Sequence, residues 1–227
     1  MRRTVTPELL DSPDCPPDEI QRSLRDLNRI NRWFGGISTT RALIERVASV
    51  TGKKHFSLLE VAAGHGEVPR TAGQQLAHQG ITLDITDLDV SPSHLQPGHR
   101  AVVANALALP FRDSSFDLVS SNLFAHHLEP DQLAAFIHEA LRVSRVAVLI
   151  NDLVRHPLHL ALVYAGFPLL RSYVSRVDGV ASVRRAYVPE EMKNMVASVS
   201  QNGSKPRLEI SSHYLFRMGV VVWKHFN

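Results

Sequence analysis

The feature that most constrains the fold is a short apolar run that leads directly into two closely spaced glycines. Residues 58–67 read Leu-Leu-Glu-Val-Ala-Ala-Gly-His-Gly-Glu. The run is typical of a buried strand, and glycines let backbone approach a ligand where a Cβ would collide. Glu60 is charged, and a buried carboxylate needs a cationic or hydrogen-bonding partner, such as the ammonium of a bound amino-acid group. The segment therefore predicts a strand, a ligand-binding loop and a helix.

Further short apolar runs alternate with stretches of helical periodicity. Such alternation predicts a parallel sheet covered by helices on both faces. Two closing runs, at 207–216 and 220–223, are expected to pair as a hairpin. The other predicted strands are 56–62, 81–85, 101–104, 116–120 and 145–150, with helices near 68–78 and 131–143.

Helical patterns flank this alternating region on both sides. Residues 1–16 are rich in proline and acid and are expected to be poorly ordered. An amphipathic helix follows Pro16 and ends near Phe34, and Ser38 is expected to cap a second helix. We expect one domain over 1–227, with a helical cap (1–52), a cofactor-binding core (53–152), a helical lid (153–200) and a closing hairpin (201–227).

Composition narrows the class of protein. The 227 residues are 44% hydrophobic, which is enough for one substantial core. The formal charge is +3 and the basic residues are scattered, which disfavours nucleic acid as the main partner. The longest apolar stretch, near 158–170, is shorter than the roughly 20 residues of a membrane span. Cys15 is the single cysteine, so we expect no disulfide within the chain. We expect a soluble, cytoplasmic protein without an integral membrane segment. The sequence pattern predicts no particular oligomeric state.

A second motif follows the second predicted strand and reads Asp87-Leu88-Asp89-Val90-Ser91. A carboxylate at the end of this strand can accept hydrogen bonds from the hydroxyls of a ribose. Its place before a hydrophobe and a serine favours Asp89, and Asp87 is the structural alternative.

A third motif lies at residues 104–119. It reads Ala-Asn-Ala-Leu-Ala-Leu-Pro-Phe, and Ser-Phe-Asp-Leu-Val follows after a short gap. In this order and spacing, the three motifs resemble those of class I S-adenosylmethionine-dependent methyltransferases, particularly the small-molecule and quinone-biosynthesis enzymes. The resemblance implies an α/β, Rossmann-like, seven-stranded, mostly parallel sheet with a reversed last strand. Ala62 departs from the pattern, because it stands where the family often has its first glycine.

The resemblance also assigns candidate residues to the cofactor, S-adenosyl-L-methionine. The Asn105 side chain and the Ala106 backbone N–H are expected to meet the adenine, although Asn105 could also be a turn residue. The other expected cofactor residues are Glu60, Ala62, Gly64, Gly66, Asp89, Val90 and Asn122.

Candidates for the acceptor side lie farther along the chain. His126 and His127 follow the fourth predicted strand, and either could act as a general base or only pack the loop. In the lid we expect Arg185, Tyr187 and His159 to contact a small-molecule acceptor, and a phenol, polyketide or quinone-like compound methylated on oxygen suits them. The histidine spacings do not indicate a metal site.

Two alternatives stay open. A nicotinamide-dependent oxidoreductase has the same order of strand, glycines and acid, but residues 63–66, Ala-Gly-His-Gly, do not complete a G-x-G-x-x-G loop. A protein that binds the cofactor without transferring a methyl group is also compatible, because no base is unambiguous.

Overall fold

The computed structural model describes residues 1–12, 14–199 and 206–224 and has a seven-stranded sheet at its centre. The sheet order is β3-β2-β1-β4-β5-β7-β6, and β7 runs antiparallel to both of its neighbours while the first five strands are parallel. This confirms the mostly parallel sheet with one reversed strand. The strands are β1 (His55–Val61), β2 (Thr82–Asp89), β3 (Ala101–Val103), β4 (Phe116–Asn122), β5 (Ser144–Leu153), β6 (Arg207–His213) and β7 (Arg217–Trp223).

Helices cover both faces of the sheet. The neighbouring residues Leu58 and Leu59 of β1 belong to two different apolar cores, because successive side chains of a strand point to opposite faces. One core includes α2 and α3, and the other includes α4 and α7. The helices are α1 (Pro17–Trp33), α2 (Gly36–Thr51), α3 (Glu67–Ala77), α4 (Pro130–Val143), α5 (Pro157–Ala165), α6 (Tyr173–Arg185) and α7 (Pro189–Ser198).

The amino-terminal segment, residues 1–12, differs from its expected disorder. Backbone N–H groups of Leu9 and Leu10 donate to the Asp178 carboxylate at 2.8 and 2.9 Å. The Arg3 side chain donates to the carbonyl oxygens of Leu128 and Arg185. Partners so far away in the chain leave no local pattern, which is why composition alone predicted disorder.

Two helix predictions also need correction. Helix α2 begins at Gly36, after Gly35 in the left-handed conformation (φ +81°), so Ser38 lies inside the helix and does not cap it. Helix α7 falls in the range expected to be lid, but its Met192 and Val196 are buried in the core on the α4 face. Within the described residues, no helix has the length and apolar character that crossing a membrane would need.

The chain reverses direction across the sheet at β1. From β1 the chain extends the sheet on one side through β2 and β3. It then crosses back and adds β4 on the other side of β1, so the strand order switches between β1 and β4. Ligands of open α/β sheets bind in the crevice at the carboxyl ends of the strands where this switch occurs. Residues 62–66, 89–94 and 122–127 lie at these ends.

Candidate functional site

A cavity of about 740 Å³ opens over the carboxyl ends of β1, β2 and β4. This volume falls within the roughly 300–1,000 Å³ of small-molecule sites. Helix α1 and the amino-terminal segment form one wall, and helices α5 and α6 form another. The wall is predominantly apolar, with leucines and valines from these helices; its polar groups include Glu60, Asp89, His126, His127 and Arg217.

The loop after β1 turns through left-handed backbone. Ala62, Gly64 and Gly66 have φ values of +54°, +52° and +65°, a region that a Cβ disfavours. Ala62 therefore adopts a glycine conformation despite its methyl group. Gly64 lines the cavity, and a Cβ there would lie 3.6 Å from Leu24.

Gly66 serves packing behind the loop. A Cβ at this position would lie 2.2 Å from Arg70 Nη1 and 2.7 Å from Asp87 Oδ2. These two side chains form a partly buried ion pair of 2.9 Å. Gly66 is not part of the cavity wall, so its predicted role at the cofactor is indirect; Asp87 is structural, in line with the alternative given for it.

Glu60 lies in the cavity wall and is fully buried. Its carboxylate accepts hydrogen bonds from Ser120 Oγ and from Asn122 Nδ2, the latter at 2.6 Å. Burial raises the pKa of Glu60 to about 7, although both hydrogen bonds oppose the rise. The protein thus supplies the neutral partners that a buried carboxylate requires, and Glu60 sits close to its titration point at neutral pH.

A hydrogen-bond network links Glu60 to a buried cation. Asn122 Oδ1 accepts from Thr40 Oγ1 at 2.7 Å and from Asn151 Nδ2 at 2.8 Å, which fixes its amide nitrogen toward Glu60. Asn151 Oδ1 in turn accepts from Arg217 at 3.3 Å. Burial lowers the pKa of Arg217 to about 10, and the guanidinium stays charged at neutral pH. One wall of the cavity therefore carries a carboxyl group and a guanidinium that are connected through the amides of Asn122 and Asn151.

Asp89 lies in the cavity wall at the end of β2. Its carboxylate accepts from the backbone N–H groups of Gly64 and Ser91, both at 3.0 Å, and lies 3.3 Å from His94 Nδ1. Burial raises the pKa of Asp89, but His94 and these backbone bonds lower it below its ordinary value overall. Asp89 is therefore ionised at neutral pH. Its bond from Gly64 connects the second motif to the glycine loop of the first. The exposed Val90 lies next to it in the cavity wall.

The third motif is not brought to the cavity. Asn105 and Ala106 are absent from its wall, and Asn105 Oδ1 accepts from the backbone N–H of Leu107 at 2.9 Å. A side-chain bond to the backbone two residues ahead is typical of a turn, which is the alternative role that the sequence offered for Asn105. Contact of these residues with adenine has no support in the cavity as it stands.

His126 and His127 lie in the wall at the end of the cavity near the amino-terminal segment. His126 is 2% exposed, and its Nδ1 lies 2.6 Å from Asp152 Oδ1. Burial lowers the pKa of His126, but the carboxylates of Asp152 and Glu8 raise it to about 9 overall. An imidazolium cannot accept a proton, so His126 in this state suits an oxygen anion better than the role of general base.

The predicted lid contacts separate into two groups. His159 lies in the wall, with Nδ1 at 2.9 Å from the Val154 carbonyl oxygen and its ring stacked on Phe216. Arg185 and Tyr187 are buried outside the wall and donate to the carbonyl oxygens of His127 and Leu128. Both side chains fix the histidine loop from behind and are not brought to the cavity.

Glu8 and Asp178 were not among the predicted site residues. Both line the cavity, and Asp178 holds the amino-terminal segment through its backbone. Burial raises the pKa of Asp178 to about 6. No spacing pattern marks Glu8, because it comes from a segment without helical or strand periodicity.

Comparison with known proteins agrees with this geometry. Residues 59–147 match the protein family described as methyltransferase domain. This match and the fold indicate the same class: residues 59–147 are similar to a methyltransferase domain, and the sheet has the strand order of the class I fold. A demethylmenaquinone methyltransferase of Renibacterium salmoninarum is 30% identical over 138 residues, which cover 58% of this chain and 51% of the relative. An uncharacterized methyltransferase of Mycobacterium marinum is 32% identical over 143 residues (56% and 54%), so the chain matches about half the length of these curated relatives.

Solved structures extend the likeness over nearly the whole chain. The plantazolicin methyltransferase BpumL, in complex with a monoazolic desmethylPZN analog and SAH, has a TM-score of 0.66 at 14% identity and covers 92% of this chain and 91% of its own. A SAM-dependent methyltransferase from Aquifex aeolicus has a TM-score of 0.59 at 13% identity, with coverages of 92% and 98%. At such identities the likeness shows the fold.

Proposed function

We propose that the protein transfers a methyl group from S-adenosylmethionine to an oxygen of a small, largely apolar molecule, such as a phenol, a polyketide or a quinone-like compound. The observation that carries the proposal is one continuous cavity. The same wall holds the glycine loop, Glu60 and Asp89 at the carboxyl ends of the strands and the histidine pair beside β4. A cofactor and an acceptor can therefore meet inside it.

The residues at the cofactor end fit S-adenosylmethionine. The wall offers Glu60 for an ammonium and Arg217 for a carboxylate, which are the two charges of an amino-acid group. Asp89 is ionised and can accept from ribose hydroxyls. Gly64 has the left-handed backbone that glycine adopts readily, and because it has no side chain, the ligand can approach the backbone there. When bound, the cofactor supplies an activated methyl group on a sulfonium.

The acceptor end supports an apolar molecule with one reactive oxygen. Leu10, Leu162, Val163 and Leu170 line it and exclude water. In the reaction the acceptor oxygen gains the methyl, the bond between methyl carbon and sulfur breaks with its electron pair left on sulfur, and the hydroxyl proton passes to His127 or to water. The protein's own contribution is alignment of the oxygen and removal of this proton.

Calorimetric titration with S-adenosylhomocysteine tests the cofactor. We expect one site with micromolar affinity, at least tenfold weaker binding in Asp89→Asn, and unchanged binding in Asp84→Asn, an exposed aspartate of the same strand. Absence of binding at high micromolar concentration would refute the proposal.

Turnover distinguishes the proposal from its alternatives. A panel of phenols, hydroquinones and amines is incubated with S-adenosylmethionine, and formation of S-adenosylhomocysteine is measured. We expect product with at least one hydroxyl compound. Cofactor binding without any turnover would favour the non-catalytic alternative, and a change in NADH fluorescence on adding the protein would favour the oxidoreductase.

A further inference from the structure

Three side chains converge on one point of the cavity wall, where Glu8 Oε1 also accepts a hydrogen bond from Ser182 Oγ at 2.8 Å. His126 Nε2 lies 3.5 Å from Glu8 Oε1, and His127 Nε2 lies 3.5 Å from Glu8 Oε2. These distances are longer than N–H···O hydrogen bonds. His126 Nε2 is buried and has no hydrogen-bond partner among the described residues. A buried nitrogen aimed at a carboxylate without bonding to it needs an explanation.

We propose that Glu8, His126 and His127 bind one divalent cation of the zinc type. Their ligand atoms all lie within 4.8 Å of one another. Ligands placed about 2.0–2.2 Å from a tetrahedral zinc are about 3.3–3.6 Å from each other. Each nitrogen–oxygen separation of 3.5 Å has the length of such an edge; the two are measured to different oxygens of Glu8, so binding through one oxygen requires a small rotation of this carboxylate. Two histidines and one glutamate are a recurring ligand set of zinc sites that keep one position open.

The outer atoms of both imidazoles are held as metal-bound histidines usually are. His126 Nδ1 lies 2.6 Å from Asp152, and His127 Nδ1 lies 3.0 Å from Asp11. A carboxylate on the far nitrogen fixes the ring orientation and keeps the proton on Nδ1, and a bound cation would replace the proton that His126 otherwise carries on Nε2 at neutral pH. The backbone N–H of His126 also donates to Asp152 at 2.9 Å, so this carboxylate is positioned on two sides.

The fourth position of the site faces the interior, because all three ligands belong to the cavity wall. An acceptor hydroxyl bound there would lose its proton more readily, since a divalent cation lowers the pKa of a bound oxygen. This role rests on the proposed methyl transfer, whereas the binding of the cation does not. Residue 8 and residues 126–127 are far apart in the chain, which is why histidine spacing gave no sign of a metal.

The test is titration of the chelator-treated, full-length protein with Zn²⁺ by calorimetry, and with Co²⁺ by visible absorption. We expect one bound ion with a Kd in the micromolar range or below, and a Co²⁺ spectrum of four-coordinate intensity. Glu8→Ala should weaken Zn²⁺ binding more than tenfold, and Asp152→Asn, which alters a positioning residue, about 10-fold to 100-fold. His138→Asn removes an exposed histidine of α4 outside the cavity and should leave the Kd unchanged.

Each outcome decides the matter. No Zn²⁺ binding to the unmodified protein, or equal affinity in Glu8→Ala, would overturn the metal site. Glu8 lies in the amino-terminal segment outside the sheet, so its substitution tests the site without removing core packing. Titration of the same samples with S-adenosylhomocysteine separates the two proposals: cofactor binding without Zn²⁺ binding refutes only the metal, and the reverse refutes only the methyl transfer.

Discussion

Replacing Glu60 by glutamine should change how stability depends on pH. Glu60 is 1% exposed, and burial raises its pKa from 4.5 to about 7. At about 1.4 kcal/mol for each pH unit, this rise corresponds to about 3 kcal/mol. The folded protein holds the proton more tightly than the unfolded chain, so unfolding releases it between these values. The contribution of Glu60 to the free energy of unfolding is therefore full below pH 4.5 and falls by about 3 kcal/mol as the pH rises through 7.

Glutamine fits the same position without the charge. Asn122 must donate toward residue 60, because its oxygen already accepts from Thr40 and Asn151. A glutamine oxygen can accept this bond, and its nitrogen can donate to Ser120 Oγ. We therefore expect the free energy of unfolding of Glu60→Gln, relative to that of the unmodified protein, to rise by about 3 kcal/mol between pH 4.5 and pH 8.

Urea unfolding at several pH values measures this difference, and other titrations cancel between the two proteins. Asp84→Asn removes an exposed carboxylate that pairs with Arg100 and should follow the unmodified protein within about 0.5 kcal/mol. Parallel curves for Glu60→Gln and the unmodified protein would show that the Glu60 carboxyl is not held near neutrality by its burial.

The loop and the second motif give three further predictions. Gly66→Ala should lower the free energy of unfolding by more than the roughly 1–2 kcal/mol that a left-handed non-glycine residue costs, because the new methyl also meets the ion pair behind the loop. Gly98→Ala is the control: Gly98 is also left-handed, but no atom lies within 4 Å of the added Cβ, so only the backbone cost is expected. Equal losses in the two variants would contradict this reasoning. Ala62→Gly should raise stability by roughly 0.5–1 kcal/mol in the same assay, since relief of backbone strain exceeds the entropy of glycine; a loss would mean that the methyl contributes packing. Asp89→Asn can accept only one of the two backbone bonds with its single oxygen, so it should weaken the loop and reduce the affinity for S-adenosylhomocysteine at least tenfold by calorimetry, and unchanged affinity would remove Asp89 from the site.

The sheet, and the meeting of polar residues at the carboxyl ends of its strands, could be predicted because their signals are local. A buried parallel strand is a continuous apolar run, and the polar residue that follows it marks its carboxyl end. Glu60, Asp89 and Asn122 each stand at or near such an end, and the switch of strand order brings all three to one crevice. The role of Asn105 at adenine stays a prediction, because the same side chain accepts a bond from the backbone N–H two residues ahead and forms a local turn.

The proposed acceptor end of the cavity could not be predicted because its residues meet only through contacts between distant parts of the chain. Glu8 reaches the histidine pair because Asp178 holds the backbone of residues 9 and 10, and Arg185 supports the histidine loop from behind. A substrate role for Arg185 followed from its charge and its place in a helical lid, yet a guanidinium can equally satisfy backbone carbonyl oxygens. The amino-terminal segment is thus part of the cavity wall. Deletion of residues 1–11 should then remove Glu8, the proposed cation ligand, and open the proposed acceptor end. The network of Glu60, Asn122 and Arg217 does not involve these residues, so we expect the proposed cofactor end to stay intact.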